Sequence, residues 1–199
     1  MIVSDSKKFI FSHLYKTAGT SIRTLLSPYG KQNIYGCEKH SSLNEIKKNM
    51  PSELFNSYYK FSFVRNTWSW QVSLYEYMLK DFGHPQHQLM KTLGNFDNYV
   101  YWRVDGNIDL QKEYVYDENG KLLADFIGKF DTLTEDVSYL CDKFSMNNSL
   151  SHLNNGNTKN YKEYYTETTK KIFADAYKED IKRVKKFGRH IFFNDNSKK

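Results

Sequence analysis

Three short apolar runs, each followed at once by a helical pattern, constrain this chain more than any other feature. They are Phe9 to Leu14, Tyr58 to Val64 and Asp125 to Phe130. Bulky, strand-favouring residues dominate each run, and apolar residues at helical spacing come next. Strands separated by helices predict an α/β fold with a central parallel sheet flanked by helices. Ligands of such sheets bind beyond the carboxyl ends of the strands. The loops after Leu14 and Val64 are therefore where chemistry is expected.

The first loop reads Tyr15-Lys16-Thr17-Ala18-Gly19-Thr20-Ser21 and leads into Ile22, Leu25 and Leu26 of a helix. Gly19 would let the backbone approach a ligand, and Thr20 or Ser21 would cap the helix. Unpaired N–H groups at a helix start, beside a lysine and three hydroxyls, suit a phosphate or sulfate. The residue order excludes a Walker A loop, in which the lysine follows the second glycine. An ordinary strand-to-helix turn with a capping serine fits the same residues. The second loop opens at Arg65, with Ser73 in the helix that follows. A guanidinium fork and a hydroxyl would take a second phosphate group. An arginine that pairs with a carboxylate to hold the strand end is the other reading. Their shared position at strand ends favours one composite site.

At 199 residues the chain suits a single domain over 1–199, and an aromatic share of 17% predicts an aromatic core. Ser42-x-x-Glu45 is a capping-box pattern that opens a helix from about Leu43, stopped by Pro51. Thr132-x-x-Glu135 opens another through Phe144, and a single long helix is expected from Glu167 to Phe187. Residues 80–120 form the least regular segment, read as partly helical and as a candidate acceptor region. A turn is expected at Asp117-Glu118-Asn119-Gly120.

The net charge of +6 suits an anionic ligand without identifying one. Lys182, Arg183, Lys185, Lys186 and Arg189 complement a helix end, and zinc-finger, RRM and helix-turn-helix signatures are missing, so no nucleic acid is expected. Cys37 and Cys141 make no metal-ligand spacing and are expected as reduced thiols. No run approaches the roughly 20 apolar residues of a membrane span, and Met1 to Lys8 lack a secretory apolar run. A cytoplasmic location is the expectation.

Together the two loops resemble the 3′-phosphoadenosine 5′-phosphosulfate (PAPS)-dependent sulfotransferases, in the carbohydrate-type branch that includes the heparan and chondroitin enzymes and soluble bacterial relatives. Lys16-Thr17-Ala18-Gly19-Thr20-Ser21 matches that family's 5′-phosphosulfate loop. Phe63-Val64-Arg65-Asn66-Thr67-Trp68, with Val72-Ser73-Leu74-Tyr75, matches its 3′-phosphate element. Asp125 to Asp136, then His152 to Asn155 with Tyr161 and Tyr164-Tyr165, resemble later family segments. Two positions depart from the pattern: Thr67 stands where the family usually has proline, and Trp70 where it often has arginine.

The resemblance implies a P-loop-NTPase-like sulfotransferase fold, PAPS as donor with 3′,5′-ADP as product, no metal, and a hydroxyl acceptor, in particular a carbohydrate. Lys16 would offset charge on the leaving phosphate, and Thr17, Ala18, Gly19, Thr20 and Ser21 would hold the same anion. Arg65 and Ser73 would take the 3′-phosphate. Lys159 and Tyr161 would approach the 3′-phosphate or adenine, or face solvent. His40 lies where carbohydrate-type relatives place a catalytic histidine, and an imidazole suits proton removal near neutral pH. A histidine making only local bonds at a helix start is the alternative, with Glu38 as a fallback base.

His13 reads as a packed, satisfied strand residue, and His84 and His87 as surface residues. His152 would shape the late loop and His190 belongs to the basic tail. Arg23 would meet the donor or face solvent. The rival functions are an atypical nucleotide kinase, a non-catalytic polyanion or nucleic-acid binding protein, and a sulfotransferase relative that binds without turnover.

Overall fold

A computed structural model describes residues 1–150 and 160–187. In chain order its first elements are β1 (Ile2–Ser4), β2 (Phe9–Phe11), α1 (Gly19–Leu26), β3 (Lys31–Gln32), α2 (Leu43–Asn49), α3 (Ser52–Ser57) and β4 (Tyr59–Val64). There follow α4 (Thr67–Lys80), α5 (His87–Leu93), α6 (Phe96–Val104), β5 (Phe126–Lys129), α7 (Leu133–Phe144), α8 (Glu167–Ala176) and α9 (Lys178–Lys186). The chain packs as two compact units. One takes residues 1–64 and 111–150 with 186–187; the other takes 65–110 and 160–185.

The first unit holds a five-stranded sheet in the order β3-β1-β2-β4-β5. The fold is α/β, but the sheet is mixed rather than parallel throughout. β2, β4 and β5 run parallel, while β1 pairs antiparallel with both β2 and β3. β1 follows from a tight return: only four residues separate Ser4 from Phe9, too few for the crossover a parallel neighbour needs. Ile2 and Val3 were its only signal.

Side chains alternate across a strand, so Phe9 and Phe11 share a face with Phe61, Phe63 and Phe126. Ile22, Leu25 and Leu26 of α1, with Val137, Leu140 and Cys141 of α7, close over that face. The rings interlock: Phe9 meets Phe61 at 5.5 Å and Phe11 meets Phe61 at 5.3 Å. Gly128 makes room for one of them, since a Cβ there would fall 2.3 Å from the Phe63 ring.

Helix ends separate good signals from weak ones. The Ser42–Glu45 capping box forms, and α2 ends before Pro51 as the spacing predicts. At α7 the expected box does not form: Thr132 Oγ1 donates instead to buried Asp136 at 2.7 Å, and the same carboxylate accepts from Lys129 N–H. The predicted turn at residues 117–120 is present, with Gly120 at φ +75°.

In the second unit, α8 and α9 replace the single long helix, which breaks at Tyr177. This unit is also aromatic inside. Trp68, Phe96, Tyr99, Tyr165 and Phe173 pack edge to face or tilted, and Phe173 stacks on Tyr177 at 4.2 Å. A buried polar chain runs from Gln71 through Tyr99 to Arg103, which also pairs with Asp109 at 2.8 Å. Trp70, at the family's arginine position, is fully buried core. Among the described residues no helix is long and apolar enough to cross a membrane.

Candidate anion loop and its histidine

The loop after β2 is held by its own backbone. Lys16 and Ala18 both adopt the left-handed conformation, at φ +62° and +64°. Non-glycine residues pay about 1 kcal/mol or more each to stay there, so the surrounding contacts must fix the loop. Thr17 supplies one: its buried hydroxyl donates to Leu14 O at 2.7 Å. That hydroxyl, expected as an anion ligand, therefore has its proton committed inside the loop.

The left-handed turn brings α1 to begin at Gly19, two or three residues earlier than a cap at Thr20 or Ser21 implies. Ala18 is the N-cap and no side chain caps the helix, so neither Thr20 nor Ser21 takes the expected capping place. Alanine has nothing to bond with, and Thr20 and Ser21 lie already within the first turn. The first amides of α1 are thus left to another acceptor, the arrangement that binds anions. Thr20 is exposed and Ser21 buried.

Gly19 also serves the packing of the loop itself. A Cβ on it would fall 1.6 Å from His13 Nε2, so it is the His13 ring that comes close to this backbone. His13 extends the Phe9, Phe11 alternation beyond the strand end and stacks on Phe11. It is packed but not satisfied. Its Nδ1 is buried with no hydrogen-bond partner, and burial holds the ring's pKa down at about 2.

His40 arrives on the loop before α2. Ser12 Oγ donates to Ser41 O at 2.9 Å, and His40 Nδ1 lies 2.9 Å from His13 O. A carbonyl only accepts, so Nδ1 carries the proton and Nε2 keeps its lone pair. The half-buried ring lies 4.5 Å from His13 and edge-on to Tyr15. Burial lowers its pKa, against a smaller opposing effect of the His13 carbonyl, and nearby Lys39 and Arg23 add to the lowering. His40 is therefore a neutral acceptor at neutral pH with a fixed tautomer. Glu38 is exposed, and Arg23 turns to Gln32 on β3.

The second unit carries the other candidates. Arg65 Nε donates to Ser69 Oγ at 3.0 Å, and Ser69 Oγ donates to Asn66 O. Ser69 and Ser73 lie four residues apart on one face of α4, and Arg65, just ahead of the Asn66 N-cap, stands four residues before Ser69. Ser69 was missed, although that spacing could have found it. Asn66 Oδ1 accepts from both Trp68 N–H and Ser69 N–H, which closes the start of α4. Thr67 is pinned: its hydroxyl meets buried Asp180 at 3.1 Å. Rigidity that a proline would give this turn comes from those bonds instead.

Tyr161 is half-buried in the 3₁₀ turn Tyr161–Tyr164, which packs on α4. Lys159, His152 and His190 lie outside the described residues. His87 is buried and bonds to Met78 O, so the surface reading fails for it. In the segment expected to be irregular, α5 and α6 flank an open groove of about 580 Å³ lined by Leu93, Asn98, Tyr101, Trp102, Val104 and Asp105. Among the described residues no cluster of three or more His, Cys, Asp or Glu gathers as metal ligands.

Comparison of the chain with protein-family profiles, with curated proteins and with solved structures finds no match in any of the three. What is established is an α/β protein with a five-stranded mixed sheet and an uncapped helix start beside a tautomer-fixed histidine.

Proposed function

We propose that the chain is a sulfotransferase of P-loop-like fold that moves a sulfuryl group from PAPS to a hydroxyl, in particular one of a carbohydrate. The observation that carries this reading is the uncapped start of α1 directly after Lys16, in the same unit as His40 with a bare Nε2. A sulfuryl donor needs a place for its phosphate, a cation on the leaving oxygen and a base for the acceptor.

In this reading the amides of Gly19, Thr20 and Ser21 hold the 5′-phosphosulfate, and the Lys16 ammonium offsets charge as the S–O bond to phosphate breaks. His40 Nε2 takes the proton of the attacking hydroxyl, so the product is a sulfate ester beside 3′,5′-ADP. Positioning and electrostatics do most of such work, since the sulfuryl group passes between two oxygens without a covalent enzyme intermediate. Arg65, oriented by Ser69, and Ser73 are the proposed ligands of the 3′-phosphate. A cytoplasmic location belongs to the same proposal.

Thermal unfolding in the presence of 3′,5′-ADP, ADP, AMP, and ATP with Mg²⁺ tests the proposal. A ligand of the native state at a hundred times its Kd stabilises by about 2.7 kcal/mol. Selective stabilisation by 3′,5′-ADP, followed by transfer of labelled sulfuryl from PAPS to a saccharide, is the expected result. Stabilisation by ATP with Mg²⁺ alone would move the chain to the kinase reading. A response to any polyanion, lost with salt, would move it to the binding-protein reading.

A further inference from the structure

We propose that His13 is the positioning residue of this site: its imidazole, wedged between the Gly19 backbone and the His40 ring, sets the distance from the α1 amides to His40. The sulfotransferase reading supplies what His40 is for; how His40 is held does not depend on it.

Four observations carry the inference. The inward face of β2 continues past the strand as Phe9, Phe11 and His13, and the Phe11 and His13 rings stack at 5.9 Å. On the other side the His13 ring meets that of His40 at 4.5 Å. The space it fills exists only because residue 19 is glycine, a Cβ there falling 1.6 Å from His13 Nε2. Finally, the His13 carbonyl accepts from His40 Nδ1 at 2.9 Å, so one residue orients His40 through both its ring and its backbone.

The chemistry of His13 suits a spacer better than a proton carrier. Its Nδ1 is buried without a partner, which a lone pair tolerates better than an N–H, so the proton belongs on Nε2. Around it stand His40, the Met1 amino group, Lys39 and Arg23, all of which oppose a positive charge on the ring. His40 faces the same Lys39, Met1 amino group and Arg23, together with the ring of Tyr15. A spacer that never ionises near neutral pH leaves the His40 lone pair unopposed by a second imidazolium.

The test compares His13→Ala, which removes the ring, with His13→Gln, which keeps length and an N–H but cannot titrate. Long-range ¹⁵N correlation spectra of the imidazoles report the His40 tautomer in the absence of any substrate. The expected result is a single Nδ1–H tautomer in the parent and in His13→Gln, and a mixture in His13→Ala. Turnover should fall about 10²-fold in His13→Ala, with the KM for PAPS within about threefold, and recover in His13→Gln.

A parent-like His40 tautomer and turnover in His13→Ala would overturn the proposal. So would a His13→Gln protein that keeps the tautomer yet is as slow as His13→Ala, since titration rather than spacing would then be at work. If the parent transfers no sulfuryl group, the tautomer spectra still decide how His40 is held, and only the sulfotransferase reading falls. If His13→Ala does not fold, the His13→Gln spectrum carries the decision.

Discussion

Two strand-to-helix turns in this chain carry basic residues, and their helix starts are built in opposite ways. After β2 the helix begins behind Ala18, which offers no side chain to the first amides. After β4 it begins behind Asn66, whose side-chain oxygen Oδ1 accepts from two of them. The first turn leaves its backbone donors without a capping side chain. The second uses its own and leaves the work to side chains, with Arg65 braced on Ser69. Position at a strand end is therefore not enough to make an anion site. The capping residue decides whether backbone amides or side chains are left to meet an anion.

The largest effects expected are on turnover, at Lys16 and His40. Lys16→Ala should lower sulfuryl transfer by about 10²–10³-fold, the loss typical of one preorganised donor to a developing anion, with the circular dichroism spectrum unchanged. His40→Ala should cost about 10²–10⁴-fold, and the parent's pH profile tests the cause. A base is active when unprotonated, and burial lowers the His40 pKa. The rate should thus hold level as pH falls through the ordinary histidine range near 6.5 and decline only below it. A decline centred above that range would contradict the burial of His40.

Smaller effects concern stability. Thr67→Val removes a hydroxyl bonded to the buried Asp180 carboxylate and should cost about 1.5–3 kcal/mol in urea unfolding. Gly19→Ala should cost about 1–3 kcal/mol, because His13 must yield to the new methyl group. Asn66→Ala should cost only about 1 kcal/mol, the usual worth of an N-cap, while opening the α4 amides. Addition of 3′,5′-ADP should then restore part of that loss; no restoration would mean that the second turn never meets phosphate.

Acid stability gives a further check on the first turn. His13 has an unfolded pKa near 6.5 and a folded value of about 2, so the unfolded chain binds the extra proton between them. Stability contributed by the neutral ring is complete above pH 6.5 and is lost as pH falls. His13→Gln should flatten that decline by about 1.4 kcal/mol per pH unit.

The strand runs, the first α2 cap and both basic loops could be read from residue patterns, because period and capping are local. The antiparallel edge could not. β1 has three residues, and its direction depends on the short return to Phe9 rather than on its own composition. The α1 cap was misplaced for a related reason. A left-handed turn at Lys16 and Ala18 is unfavourable for both residue types, so no local preference announces it. His13 was read by its strand position alone. Its neighbours Gly19 and His40 are six and 27 residues away, and only the folded chain shows them in contact with it.

The bond from Thr67 to Asp180 spans 113 residues, and Tyr165 reaches back 97 residues to the carbonyl of Trp68. As a ribosome releases the chain, β4 and the residues of α4 emerge long before either partner exists. The bonds that tie Thr67 and Trp68 to Asp180 and Tyr165 can form only after those partners have emerged. Truncated nascent chains that stop before residue 160 should therefore hold Trp68 in a solvent-exposed, protease-sensitive state, and its fluorescence should shift to the blue only once α8 and α9 have left the exit tunnel.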